Sequence, residues 1–118
     1  MQEISNFPDV RETEDRERLS PSVFLEHAAS HDSPPSDLAV EIEALWWDAH
    51  GDTERALELL EEEPGLNAVW IRAYVRRKLG DQAIASFWYA KAGRPVARGS
   101  SGTERNLILK VVLGGASE

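Results

Sequence analysis

The chain has no cysteine, which removes disulfides, thiolate zinc sites and cysteine nucleophiles together. A cytoplasmic location fits that absence. No segment approaches the roughly 18 consecutive apolar residues needed to cross a bilayer. The longest candidate, Leu107 to Leu113, is broken by Lys110. The first twenty residues run from Glu3 and Asp9 to Glu17 and Arg18 with no apolar stretch, so no secretory signal peptide is expected. A soluble protein is therefore expected. Also missing are a glycine-rich phosphate cradle, a nucleophile elbow and an acid pair with a special setting. These absences argue against an enzyme, and no catalytic, cofactor-binding or metal-binding residue is assigned.

What is present is a chain of 118 residues with 42% hydrophobic content, enough for one domain with a modest core. The net charge of −8 is unevenly spread. Residues 1–37 hold 3 basic and 9 acidic side chains (−6), residues 38–63 hold 1 and 9 (−8), and residues 64–118 hold 9 and 3 (+6). The basic end admits nucleic-acid or acidic-partner binding through residues 72–98. The simpler expectation is that neighbouring helices of opposite sign neutralise each other.

Residues 1–18 are polar and too poor in large apolar groups to offset ordering entropy, so a disordered acidic tail is expected. Residues 19–36 read as a short helix and linker. Ser20-Pro21 is a helix start, serine as N-cap and proline at the first helical position, and His31 to Ser36 is rich in turn residues. Residues 37–95 carry a repeat: Gly51-Asp52 and, 29 residues later, Gly80-Asp81 each close one apolar helical pattern and open another. In the first helix Leu38, Ile42, Leu45 and Ala49 form a buried stripe, while Glu41, Glu43 and Asp48 are left for solvent. Ser33 or Ser36 is its expected cap. Helices over about 53–63, 67–79 and 82–92 follow, the last burying Ile84, Ala85, Phe87 and Trp88. Residues 96–118 read as a loop and a C-terminal capping helix. Ser101 and Glu104 have capping-box spacing, although Val111-Val112 leaves a short strand open. The fold class is all-α: two tandem antiparallel helical hairpins with flanking capping helices.

Gly80-Asp81, Ala85, Tyr89 and Ala92 resemble the second helix of a tetratricopeptide or Sel1-like repeat, and Phe87 to Ala92 is similar to the Sel1 ending. Gly51-Asp52, Ala56 and Leu60 match more loosely, with Glu63 where an alanine is usual. Glu43 and Arg72 depart from the pattern by occupying apolar positions, and the 29-residue period is shorter than the usual tetratricopeptide. More narrowly, Ala44-Leu45-Trp46-Trp47-Asp48 and Trp88 to Pro95 look like a group of short bacterial proteins. The repeat resemblance implies a module that binds a protein or peptide partner on a helical face.

The candidate partner-binding residues are Trp46, Trp47, Arg72, Tyr74 and Arg76, on the face of the first and third repeat helices. Trp46 and Trp47 point about 100° apart on a helix, so one of them is free to face outward. Asp48, His50 and Asp52, and the i, i+4 pair His27 and His31, invite a metal reading, but the first trio straddles a helix end and the second pair lacks a third ligand. Homo-oligomerisation through leftover apolar surface is a further expectation.

Overall fold

The computed structural model describes residues 20–114; the tail expected at 1–18 lies outside them. Among the described residues the fold is all-α, with six helices: α1 (Pro21–Ser30), α2 (Val40–His50), α3 (Thr53–Leu60), α4 (Leu66–Lys78), α5 (Gln82–Ala92) and α6 (Ser101–Gly114). None is long and apolar enough to cross a membrane. The Val111-Val112 segment is helical.

Helix boundaries follow local chemistry. Ser20 accepts the Val23 backbone N–H at 3.3 Å and Pro21 opens α1. At the repeat turns Gly51 (φ 113°) and Gly80 (φ 90°) adopt the left-handed conformation that a Cβ disfavours. There the amides of Asp52 and Asp81 reach back to the carbonyls of Trp47 and Arg76 at 2.8 and 2.9 Å. The two aspartates then diverge. Asp52 caps α3 by accepting the Arg55 N–H at 3.0 Å, whereas Asp81 pairs with Arg76 at 3.1 Å.

Three boundaries differ from the sequence expectation. α2 starts at Val40 with Ala39, not a serine, at its cap, because the chain turns at Asp37 with φ 67°. α3 stops at Leu60, where the amides of Glu61 and Glu63 turn back to the carbonyls of Glu58 and Leu60. Continuing it would place three glutamates at the negative end of the helix dipole. At α6 the hydroxyl of Ser100 takes the Thr103 N–H at 3.0 Å, so the capping box expected from Ser101 and Glu104 does not form.

α2 packs along α3 and α4 along α5, while α2 also touches α4. The flanking helices do not sit at opposite ends of this arrangement. α1 packs on α2, α6 packs on α4, and α1 and α6 touch each other. Together they cover the side of α2 and α4 that the hairpin partners leave open. The core there includes Phe24, Leu45, Trp46, Ile71, Tyr74, Ile108 and Leu109. α5 packs chiefly on α4, so its outer side stays open: Ile84 and Phe87, expected inside, are 44% and 55% exposed.

The α1–α2 contact gathers all three histidines. The Trp46 indole N–H donates to His27 Nδ1 at 3.0 Å, His27 stacks on His31 at 3.7 Å, and His50 stacks on Trp46 while its Nδ1 donates to the Ala28 carbonyl at 2.8 Å. Burial and the neighbouring His31 both hold the His27 pKa below its ordinary 6.5. Protonation is thus easier in the unfolded chain, and it also removes the acceptor for Trp46. This contact contributes its full stability above pH about 6.5 and loses it as the pH falls below that value. Thermal melts from pH about 7.5 to 5 should show a falling midpoint, and His27→Gln should flatten that fall. An unchanged acid limb in the variant would assign the fall to other groups.

Candidate functional site

Asp48, expected in solvent, and Glu104, expected in a capping box, are the best-buried charges among the described residues. Asp48, at the end of α2, accepts the Tyr74 hydroxyl at 2.9 Å, the Lys78 ammonium at 2.5 Å and the Thr53 hydroxyl at 3.3 Å. One carboxylate thereby joins α2, α3 and α4. Glu104 of α6 accepts the Trp70 indole N–H at 3.2 Å, the Tyr89 hydroxyl at 2.6 Å and the Arg77 guanidinium at 3.1 Å. It joins α4, α5 and α6. Placing Asp48 in solvent is therefore corrected: burial with a hydrogen-bonded cation and phenol is affordable for a carboxylate, while burial alone is not. The repeat register hints at this, since Asp48 and Arg77 each stand three residues before a turn glycine.

The expected binding residues are dispersed by this architecture. Trp46 is 0% and Tyr74 1% exposed; α1 covers the first and Asp48 holds the second. Neither can meet a docked partner, and the face of α2 and α4 on which they were expected is occupied by α1 and α6. Trp47 stays half-buried on α2, its indole N–H on Glu43 at 3.2 Å and the Arg55 guanidinium 4.7 Å above its ring.

Arg72 and Arg76 come together elsewhere, on the wall of an open groove of about 540 Å³ between α3 and α4. The α3 wall presents Glu54 and Glu58, with Glu61 just past the end of that helix; the α4 wall presents the two arginines; Leu57 and Leu79 supply apolar surface. Arg72 is fixed from two sides. Its guanidinium lies 3.8 Å from the Trp88 ring centroid and donates to the Glu61 carbonyl at 3.1 Å. Burial lowers its pKa, Glu61 opposes that and Arg76 adds to it, and the group stays a cation at neutral pH. No side chain of the α3 wall forms an ion pair with a described residue. The expected neutralisation between neighbouring helices thus runs instead through Asp48, Asp81 and Glu104.

Three of the seven cations in the basic segment 72–98 pair with carboxylates inside the molecule. Arg76 pairs with Asp81, Arg77 with Glu104 and the Gly99 carbonyl, and Lys78 with Asp48. The acids and histidines considered for a metal face different neighbours, Asp48 towards Tyr74 and Lys78, His50 towards the Ala28 carbonyl and Asp52 towards the Arg55 amide. No group of three or more metal-ligating side chains is assembled among the described residues.

Comparison of the chain with protein-family models, with curated proteins and with solved structures finds no match.

Proposed function

We propose that this is a non-enzymatic, tetratricopeptide-like interaction module of the cytoplasm that binds a protein or peptide partner in the α3–α4 groove. The observation that carries this reading is the groove's pair of oppositely charged walls, with acids on the α3 side that have no ion-pair partner among the described residues facing Arg72 and Arg76 on α4. Such walls favour a segment bearing both signs of charge around an apolar residue that reaches Leu57 and Leu79. The buried acids support a structural role, because Asp48 and Glu104 already accept several donors each.

Selection of a displayed random-peptide library on the full chain tests the reading. Enriched peptides should carry mixed charge about an apolar anchor. Arg76→Glu should weaken them by about tenfold or more, while Lys91→Glu on the exposed side of α5 should not. Peptides that bind both variants equally, or a selection that enriches none, would overturn the assignment.

A further inference from the structure

A second cleft, of about 330 Å³, opens where the chain leaving α5 passes the start of α6. Its apolar lining is Trp70, Pro95, Val96 and Leu107, and its cations are Arg94 and Arg98. We propose that this cleft binds a small organic anion, a carboxylate attached to a compact apolar body.

Trp70 forms a fixed floor. Its ring is 2% exposed and its N–H is held by Glu104, whose carboxylate is itself held by Tyr89 and Arg77. The Arg94 guanidinium carbon lies over that floor, 3.4 Å from the ring centroid. Stacking orients the guanidinium without consuming its N–H donors. No carboxylate among the described residues forms an ion pair with Arg94 or Arg98. An arginine over a ring at the edge of a cleft, with no ion-pair partner among the described residues, is set for bidentate acceptance of a planar anion.

The sign of the site follows from counting its charges. Glu104 is part of the wall, but Arg77 offsets it at 3.1 Å, which leaves the two arginines facing the opening. The apolar lining sets the rest of the ligand. Val96 and Leu107 are 44% and 50% exposed and gain cover only from a hydrophobic group. A bare inorganic anion leaves them wet, and an uncharged apolar molecule leaves Arg94 without an acceptor. The volume lies at the lower end of ligand pockets, which suits a single-ring or short branched acid and is small for a nucleotide or a helix.

The probe is phenylacetate, titrated into the full chain and read from the Trp70 indole N–H resonance. Phenylacetamide serves as the uncharged match and inorganic phosphate as the bare anion. Phenylacetate should saturate below about 10 mM, with the amide and phosphate each weaker by about tenfold. Arg94→Gln should weaken phenylacetate by about tenfold with an unchanged helical spectrum. Leu107→Glu, which places a like charge at the mouth, should do the same should Arg94→Gln disturb the loop. Equal binding of acid and amide, full binding in both variants, or no saturation would overturn the proposal. The α3–α4 groove takes no part in this experiment, so either site can fail alone.

Discussion

Glu104→Ala should destabilise the fold by about 3–5 kcal/mol, the range for removing one partner of a buried charge pair. Three donors lose their acceptor at once: the Arg77 guanidinium, whose side chain is 14% exposed, the Trp70 indole N–H and the Tyr89 hydroxyl. Restoring them to water requires α6 to lift from α4 and α5. The net benefit of the intact cluster is smaller than this figure, because desolvating the carboxylate and guanidinium offsets much of their attraction. Glu104→Gln separates shape from charge. It keeps an acceptor for Trp70 or Tyr89 but not the ion pair, and should lie between wild type and Glu104→Ala. Urea unfolding measures both, with an unchanged slope expected. A loss below about 1 kcal/mol for Glu104→Ala would place the cluster among surface ion pairs.

The helical hairpins were legible because their signals are local. A glycine closing an apolar pattern and an aspartate after it mark each turn without reference to the rest of the chain, and both turns fold as that spacing implies. The buried acids were not legible, because their partners are distant in sequence. Asp48 finds Tyr74 and Lys78 26 and 30 residues on, and Glu104 reaches back 34 residues to Trp70. Within its own helix an acid at position 48 is indistinguishable from a solvated one. Glu104 was masked by a competing local motif, since Ser101 lies three residues before it. The cap is one residue earlier, at Ser100, which frees Glu104 to turn inward.

The same limit explains the candidate site. Periodicity shows that α2 and α4 are apolar on two flanks, but not what covers the second flank. A partner protein and the chain's own α1 and α6 satisfy the pattern equally well. The contact between α1 and α6 decides for the chain itself, and with it Trp46 and Tyr74 leave the surface. Arg72 and Arg76 stay accessible because they lie on the α3 side of α4, at the groove.

Raising the pH should unfold the protein cooperatively through its two tyrosines. Burial is the main cause that holds both phenols above their ordinary pKa of 10.0, and the carboxylate each one donates to adds to it, Asp48 for Tyr74 and Glu104 for Tyr89. A phenol that ionises beside a carboxylate loses its donor proton and gains a repelling charge. Below pH about 10 both tyrosines are neutral in folded and unfolded chains, so stability is fully present. Above it the unfolded chain releases protons that the folded one keeps, and stability falls by at most about 1.4 kcal/mol per pH unit for each tyrosine. Absorbance of tyrosinate and far-ultraviolet circular dichroism should therefore change together, with tyrosinate appearing only as helix is lost. Tyr89→Phe should start from lower stability, having left Glu104 one donor short, yet lose it more gradually with pH because one tyrosine remains to titrate. Tyrosinate forming with a midpoint near 10 while the helical signal persists would show that the two hydroxyls are open to water and that neither carboxylate holds them.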